Sequence, residues 1–207
     1  MPKIEGIYAI TPDTSDTARL LAQVSAVLSG GVKVMQYRNK SDDADLRFSQ
    51  AGQIKQLCDR YAVPLIINDD VELALAIDAA GVHLGEQDGS LQSARLRLGP
   101  HKLLGASCYA SLALAERALS NGADHVAFGA VFPSITKPLV RRATLDLIAQ
   151  ARRQLSAPIV AIGGITAENG SSVVDAGADA LAVISSLFDA ADIEQAARVL
   201  SACFERG

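Results

Sequence analysis

The chain has 207 residues, with 19 Lys and Arg against 23 Asp and Glu, and a formal net charge of −4. The acidic balance, the lack of tryptophan and an aromatic content of 4% argue against a nucleic-acid partner, which selects for a basic face and stacking side chains. Hydrophobic residues make up 49% of the chain, which is typical of a folded globular protein with a substantial core.

Membrane attachment and disulfide bonding are not expected. The longest stretch without a charged residue, Gln154 to Ala167, has 14 residues, fewer than the about 20 that a membrane helix needs. The first residues lack the basic-then-apolar pattern of a signal peptide. Cys58, Cys108 and Cys203 are scattered and odd in number, which predicts free thiols rather than a disulfide framework or a zinc site. We therefore expect a cytoplasmic protein.

Eight short apolar runs rich in Val and Ile predict strands. In chain order they are Gly6–Thr11, Val32–Arg38, Pro64–Asp69, Val82–Gly85, Leu103–Tyr109, His125–Phe132, Pro158–Thr166 and Ala180–Phe188. Their nearly continuous apolar character is typical of strands buried on both faces, and hence of a parallel sheet.

The segments between the runs show helical spacing, most clearly in Thr17–Leu28, Leu112–Leu119 and Ile193–Phe204. Left-handed helix caps are predicted at four glycines that precede a strand: Gly30, Gly81, Gly122 and Gly177. The similar sequences around these glycines indicate a weak repeat of one unit, made of a helix, a glycine turn and a strand.

Eight such units predict an α/β fold, a single-domain (β/α)8 TIM barrel spanning residues 1–207. Each unit averages about 26 residues, which suits a compact barrel of this kind. The alternative is an open doubly wound sheet, which usually has fewer strands and a phosphate loop after the first one. Here Thr11-Pro12-Asp13 follows the first run, and neither GxGxxG nor GxxxxGK[ST] occurs.

In such barrels the chemistry lies at the carboxyl ends of the strands. Asp69 and Asp88 follow adjacent strands and predict a Mg²⁺ site, because Mg²⁺ accepts two carboxylates and takes its other ligands from water and a substrate phosphate. The alternative is that Asp69 or Asp70 caps the helix beginning near Val71, and Asp70 is the better candidate.

Three cations, Arg38, Lys40 and Lys137, are predicted at the same rim, where they suit a diphosphate–metal complex. Solvated surface charge is the alternative, chiefly for Lys40. Gly163-Gly164 and Ile184-Ser185-Ser186 occupy the positions at which many barrels bind phosphate after strands seven and eight. Close backbone packing is the alternative reason for those glycines.

Two further features concern a loop and the histidines. The long connection Phe132–Arg142 is a candidate mobile lid, or else an ordinary surface loop. His83, His101 and His125 are far apart in the sequence, and we expect them to be packed rather than functional.

Six motifs occur in one order along the chain. They are Gln36-Tyr37-Arg38-Asn39-Lys40, Asn68-Asp69-Asp70, Gly81-Val82-His83-Leu84-Gly85 with Asp88, Gly105-Ala106-Ser107, Phe132-Pro133-Ser134-Ile135-Thr136-Lys137 and Ile162-Gly163-Gly164-Ile165. Together they resemble the thiamine-phosphate synthase family from end to end. The resemblance implies a Mg²⁺-dependent barrel that joins 4-amino-5-hydroxymethyl-2-methylpyrimidine diphosphate to 4-methyl-5-hydroxyethylthiazole phosphate, giving thiamine phosphate and pyrophosphate.

The resemblance also implies roles for particular residues. Asp69 and Asp88 would hold the metal. The pyrimidine diphosphate would be bound by Gln36, Arg38, Lys40, Asn68, Ser107 and Lys137, of which Arg38, Lys40, Ser107 and Lys137 would be catalytic. The thiazole phosphate would be bound by Ser134, Thr136, Gly164, Ile184 and Ser185.

The chain departs from the family pattern at three positions. Asn39 stands where an acidic residue is usual, Glu86 where Gln is common, and Ser134 where Thr is usual. Asn39 is expected to loosen the positioning of Arg38 and Lys40. Glu86 adds a negative charge near Asp88, which would strengthen or disturb metal binding.

Three other functions remain as alternatives. A thiazole tautomerase would need neither the aspartate pair nor the diphosphate cations. A non-catalytic phosphate-binding barrel would not need Asp69, Asp88 and Lys137 together. A sugar-phosphate epimerase would need paired catalytic acids and metal-binding histidines, which are not evident in the sequence.

Overall fold

The structure is a computed structural model that describes residues 2–133 and 142–205. Its strands are β1 (Gly6–Ile10), β2 (Val34–Tyr37), β3 (Leu65–Asn68), β4 (Gly81–Leu84), β5 (Leu103–Tyr109), β6 (His125–Gly129), β7 (Ile159–Ile162) and β8 (Ala180–Val183). They pair in chain order, all in parallel, and β8 returns to pair with β1. The predicted (β/α)8 barrel is confirmed, and the open doubly wound sheet is excluded.

The helices of the described chain surround the barrel. They are α1 (Thr17–Ser29), α2 (Ala44–Arg60), α3 (Val71–Ala76), α4 (Leu91–Leu98), α5 (Leu112–Ser120), α6 (Leu145–Gln154), α7 (Gly170–Asp175), α8 (Ser185–Phe188) and α9 (Ile193–Ser201), followed by a 3₁₀ turn (Ala202–Phe204). Most begin at an Asp, Ser or Thr whose side chain accepts a backbone N–H of the first turn. No described helix is long and apolar enough to cross a membrane.

Alternation along the strands divides the core into two layers. One set of side chains packs outward against the helices, and the other fills the barrel. The inner layer contains Tyr8, Val34 and Ile66 on β1 to β3 but only Ala127, Ala180 and Ala182 on β6 and β8. Small side chains on one half of the barrel leave space inside it, which most barrels of this size fill.

Two ion pairs of the same design tie helices to strands at the amino end of the barrel. Arg95 on α4 binds Asp124 at 2.5 Å, and Arg152 on α6 binds Asp179 at 3.0 Å. Each aspartate directly precedes a strand and also accepts a backbone N–H of the neighbouring strand, from Leu104 and Ile159 respectively, both at 2.7 Å. The repeated Gly-Ala-Asp sequences therefore encode the same structural unit twice.

The glycine predictions were half right. Gly122 and Gly177 are left-handed, with φ of +94° and +106°, and a side chain at either would meet the adjoining arginine. Gly30 has φ of −74°, and the left-handed residue is Gly31. Gly81 begins β4, and its added Cβ would lie 2.1 Å from the Leu103 carbonyl oxygen. Close strand packing, rather than a turn, requires that glycine.

Several predicted strands were too long. The run Ala180–Phe188 ends as a strand at Val183, and Ser185–Phe188 forms α8. The run Pro158–Thr166 contains only the four residues of β7. Periodicity could not separate these parts, because a short buried helix and a buried strand have the same apolar character. All three cysteines are buried and free, as predicted.

Candidate active site

The β2–α2 loop brings two predicted cations to the mouth of the barrel. Arg38 Nη1 donates to Asp13 Oδ2 at 2.5 Å, and the backbone N–H of Lys40 donates to Asp13 Oδ1 at 2.9 Å. Buried Thr11 receives the Arg38 backbone N–H and donates to the Arg38 carbonyl oxygen. The β1 exit thus fixes both the course of this loop and one of its charges.

Asn39 ties the same loop to the protein interior. Its side-chain amide donates to the Thr14 carbonyl oxygen at 3.0 Å and to Gln50 Oε1 at 2.9 Å, and its oxygen accepts the Ser41 N–H at 2.9 Å. A carboxylate could accept but not donate these bonds. Asparagine supplies a donor that this loop uses, and the expectation that Asn39 loosens the positioning of Arg38 and Lys40 stays a prediction.

The end of β3 separates two neighbouring aspartates. Asp69 has φ of +63°, a left-handed conformation that is strained for a residue other than glycine. Asp70 caps α3 by accepting the Leu73 N–H at 2.9 Å, which answers the question of which aspartate is the cap. Asp69 is left to face the mouth, where Lys40 Nζ contacts its carboxylate.

Asp69 and Asp88 lie close enough to influence each other. The pKa of Asp88 is raised, first by partial burial of its carboxyl group and then by its hydrogen bond with Asp69 and by the Asp69 charge. The Gly85 N–H, which Asp88 Oδ2 accepts at 2.8 Å, and the Lys40 ammonium act in the opposite direction. Two carboxyl groups held together in this way favour a shared cation.

The donor set fits the predicted magnesium ion. Within residues 2–133 and 142–205, no cluster of three or more His, Cys, Asp or Glu side chains could enclose a metal. Two convergent carboxylates at an open mouth suit Mg²⁺, which retains water and binds substrate phosphate. They do not suit zinc, which takes three or four protein ligands.

A cavity of 260 Å³ enters the barrel from the carboxyl ends of the strands, through the space that the small residues of β6 and β8 leave. Gln36, Arg38, Asn68, Ser107 and Ile184 line it, as do Tyr8 and His83. Gln36 Nε2 donates to the Tyr8 hydroxyl at 2.8 Å, and Ser107 Oγ lies 2.9 Å from His83 Nε2. The polar groups at its wall are therefore oriented by buried neighbours.

A second cavity of 570 Å³ lies beside the first and is more exposed. Lys40, Asn68, Asp69 and Asp88 line it. Asn68 belongs to the walls of both cavities. A charged compartment and a ring-sized compartment are thus adjacent.

The ends of β7 and β8 complete the described mouth. Gly163 and Gly164 are left-handed, with φ of +104° and +66°, and a Cβ on Gly164 would lie 2.9 Å from Phe132 Cβ. Ser185 begins α8 directly after Ile184. Close backbone packing requires Gly164, and it leaves the peptide groups of this turn at the same end of the barrel as the aspartates.

Three predicted residues, Ser134, Thr136 and Lys137, lie outside the described residues, as does most of the predicted lid Phe132–Arg142. Of the two departures within the described chain, Asn39 is half-buried and Glu86 is exposed.

Sequence reasoning missed two residues of this site. Asp13 follows β1 at the same end as the other polar residues, and that position was a signal that could have identified it. His83 was expected to be only packed, yet it lines the inner cavity and contacts Ser107. Only the inward direction of its side chain, which the strand register decides, identifies it.

An open mouth with charged groups at its rim and a cavity behind them marks a (β/α)8-barrel enzyme, since enzymes of this fold act at the carboxyl ends of the strands. A family model described as thiamine monophosphate synthase matches residues 7–187. The chain belongs to the thiamine-phosphate synthase family.

Individual relatives agree with this assignment. The thiamine-phosphate synthase of Methylobacillus flagellatus is 57% identical over 198 residues, which cover 96% of this chain and 94% of the relative. That of Thiobacillus denitrificans is 54% identical, with 96% and 94% covered. The solved thiamine phosphate pyrophosphorylase of Pyrococcus furiosus superposes with a TM-score of 0.87 at 32% identity, covering 97% of this chain and 95% of that one.

Proposed function

We propose that this enzyme condenses 4-amino-5-hydroxymethyl-2-methylpyrimidine diphosphate with 4-methyl-5-hydroxyethylthiazole phosphate, giving thiamine phosphate and pyrophosphate. The observation that carries the proposal is the adjacency of the two compartments. One is charged and the other is large enough for a single ring, and Asn68 lies between them. A diphosphate ester of a small aromatic ring has the matching division of charge and shape.

The pyrimidine would occupy the inner cavity, against Gln36, Asn68 and Ser107. Gln36 donates through Nε2 to Tyr8, so its Oε1 is available to accept a hydrogen bond from the ring amino group. The diphosphate would lie in the outer cavity with Lys40 and reach Arg38 at the wall of the inner cavity, and Lys137 is assigned to it by family resemblance. In the structure Arg38 is paired with Asp13, and Lys40 is paired with Asp69. A bound diphosphate would replace these carboxylates as the negative partner of the two cations.

Asp69 and Asp88 would hold a Mg²⁺ ion at the boundary of the outer cavity. When bound, Mg²⁺ supplies Lewis-acid stabilisation of negative charge on the diphosphate. The convergence of the two carboxyl groups supports this assignment.

The thiazole phosphate would bind at the ends of β7 and β8. Gly164, Ile184 and Ser185 would provide the described part of this site, and Ser134 and Thr136 the remainder. The turn at Gly164 and the start of α8 support the assignment, because backbone N–H groups in such turns suit an anion. Ile184 also lines the inner cavity, which would bring the thiazole near the pyrimidine.

The chemistry needs no protein nucleophile. The bond between the pyrimidine methylene carbon and the diphosphate oxygen breaks, and its electron pair leaves with the diphosphate. The aminopyrimidine stabilises the resulting cation by resonance, and the lone pair of the thiazole nitrogen then forms the new carbon–nitrogen bond. Arg38, Lys40 and Lys137 stabilise the departing charge, while the barrel walls align the rings and exclude water.

The test mixes the purified protein with both phosphorylated heterocycles, with and without Mg²⁺, and measures thiamine phosphate and pyrophosphate. We expect equal amounts of both products, and only in the presence of Mg²⁺. Isomerisation of a thiazole phosphate alone, without pyrophosphate, would identify a tautomerase instead. Binding without turnover would identify a phosphate-binding barrel.

We also propose that the enzyme acts in the cytoplasm, because its proposed substrates are phosphorylated and do not cross membranes unaided. Cell fractionation followed by the same assay tests this.

A further inference from the structure

Two histidines lie close together inside the barrel, and one of them, His83, lines the inner cavity. His83 on β4, Gly105 on β5 and His125 on β6 are register partners at one level of the sheet. The ring centroids of His83 and His125 are 5.7 Å apart. A Cβ on Gly105 would lie 2.5 Å from His83 Nδ1 and 2.3 Å from His125 Nε2. The missing side chain of Gly105 therefore lets these two nitrogens approach the same point.

The hydrogen bonding of this pair is incomplete. His83 Nδ1 and both nitrogens of His125 are buried and have no hydrogen-bond partner among residues 2–133 and 142–205. Burial lowers the pKa of His83 to about 4 and that of His125, which His83 also lowers, to about 3. Each ring is therefore neutral at physiological pH and carries one N–H and one lone pair.

The position of the proton on each ring follows from which buried nitrogens have a hydrogen-bond partner. A buried N–H without a partner is rarer than an acceptor without one. His83 has a partner, Ser107 Oγ, only at Nε2, so its proton belongs on Nε2 and its Nδ1 is an acceptor. His125 must also place an N–H. Its Nε2 and the His83 Nδ1 acceptor each lie within 2.5 Å of one point beside Gly105, although no hydrogen bond joins them in the structure.

We propose that a small rotation of the His125 ring closes a one-way hydrogen-bond chain from His125 through His83, which aims the Ser107 hydroxyl into the inner cavity as a donor. The His125 Nε2–H points to His83 Nδ1, and the His83 Nε2–H donates to Ser107 Oγ. Because Ser107 then accepts from His83, its own hydrogen is free for the ligand. His83 and His125 are positioning residues, and Ser107 is the residue that touches substrate.

This chain has a consequence for specificity. The wall of the inner cavity presents a donor at Ser107, which selects a ligand with an acceptor at that place, such as a ring nitrogen or a diphosphate oxygen. The catalytic part of this inference rests on the proposed function, whereas the direction of the chain is a property of the free protein.

The direct test is the tautomer of each histidine, read from the nitrogen chemical shifts of ¹⁵N-histidine-labelled free protein at pH 7.5. The chain has three histidines, so single His→Gln variants assign the signals. We expect the Nε2–H form at His83 and at His125. An Nδ1–H form at His83 would overturn the proposal. The tautomers themselves are read from the wild-type protein without substrate, and the variants serve only to assign the signals.

His125→Phe then removes the first donor while keeping a ring of similar size. We expect the His83 signals to show a substantial Nδ1–H population, and unchanged His83 signals would contradict the chain. His125→Gln, whose amide can replace the Nε2–H, should keep the wild-type pattern. His101→Gln changes an exposed histidine and is the matched control.

The functional readout is the division between kcat and KM. We expect His125→Phe to lower kcat about tenfold, with KM for the thiazole phosphate unchanged and with His125→Gln restoring most of the rate. If His125→Phe, His125→Gln and His101→Gln have equal kcat while the tautomers are as expected, the positioning role is overturned. If the wild type makes no thiamine phosphate, the proposed function fails, while the tautomers still decide the direction of the chain.

Discussion

At the amino end of the barrel, Asp124 and Asp179 each bind an arginine and a strand N–H. At the carboxyl end, Asp69 and Asp88 instead face each other and share the charge of Lys40. The residue types are the same at both ends. The difference lies in the charged partners, because each aspartate at the amino end has an arginine of its own, whereas the two at the carboxyl end have one lysine between them.

Satisfied charges at the amino end stabilise the fold. Arg95 donates to three backbone carbonyl oxygens, those of Gly99, Lys102 and Gly122, in addition to Asp124. At the other end, Asp69 has a left-handed backbone conformation that is unfavourable for an aspartate. The raised pKa of Asp88 shows that its charged form is disfavoured there. Such strain is typical of functional sites. The comparison predicts that charge removal affects stability at one end and turnover at the other.

The largest effect is expected from Asp69→Asn at the carboxyl end. Loss of this charge should lower kcat by about 100- to 1,000-fold, corresponding to about 2.7–4 kcal/mol of barrier, as for one lost electrostatic contact. The thermal midpoint should stay within a few degrees of wild type, because Asp69 caps no helix. Steady-state kinetics and melting curves measure both, and an unchanged kcat would refute the site assignment.

The opposite result is expected from Asp124→Ala at the amino end. The change leaves the Leu104 N–H and the Arg95 guanidinium without their carboxylate, so the free energy of unfolding should fall by about 2–3 kcal/mol. The specific activity of the folded fraction should not change. Urea unfolding measures the loss. Asp179→Ala is the matched variant, and a very different value there would show that the two units are not equivalent.

Between the two ends, the buried histidines predict a pH dependence of stability. The native pKa values of about 4 for His83 and about 3 for His125 lie below the ordinary value of 6.5. As the pH falls below 6.5, the unfolded chain therefore binds protons that the native protein does not, and stability is lost. At pH 5 each histidine should cost about 2 kcal/mol.

His125→Phe isolates one of these contributions. The fall in unfolding free energy from pH 7 to pH 5 should be about 2 kcal/mol smaller in this variant than in wild type. Urea unfolding at both pH values gives the comparison. Identical pH dependence in the two proteins would mean that His125 titrates in the native protein as it does in the unfolded chain.

A smaller effect on turnover is expected from Asp13→Asn, which keeps an acceptor for the Lys40 N–H but removes the carboxylate that Arg38 binds. We expect kcat/KM for the pyrimidine diphosphate to fall about tenfold, corresponding to about 1.4 kcal/mol. KM for the thiazole phosphate should not change. Asp59→Asn, which removes an exposed pair with Lys55, is the control. A loss of equal size for both substrates would contradict a local role.

The smallest effect is expected from Glu86→Gln. Glu86 is exposed, and an exposed charge contributes less than about 0.5 kcal/mol to binding of a neighbouring ion. The Mg²⁺ concentration that gives half-maximal activity should therefore change by less than about twofold. A much larger change would place Glu86 among the metal ligands.

The sequence predicted the barrel and the end at which its polar residues meet. Apolar runs marked the strands, and a residue directly after a run must lie at the carboxyl end of its strand. That is why the sequence could place Asp69, Lys40 and Asn68 at this end of the barrel. Strand ends were less accurate at Ala180–Phe188, because apolar residues continue from β8 into α8.

The contacts among side chains were beyond the sequence. The pairing of Asp13 with Arg38 joins residues 25 positions apart, and only the course of the β1 exit brings them together. The His83–Gly105–His125 level depends on strand register, which three separate segments set jointly. The hydrogen bonds of Asn39 were not foreseen, because the fold supplies their acceptors from Thr14 in the β1–α1 loop and from Gln50 on α2.

The alanines of β6 and β8 also bear on how this protein could be remodelled. Ala127, Ala180 and Ala182 face the hollow half of the barrel, so branched side chains at these places would fill the hollow with hydrocarbon. Such a variant would be more stable, but its barrel would have no room for a ligand. The inner cavity therefore depends on the small size of these three side chains. Changing the size of the heterocycle that the enzyme accepts would begin with substitutions at these positions.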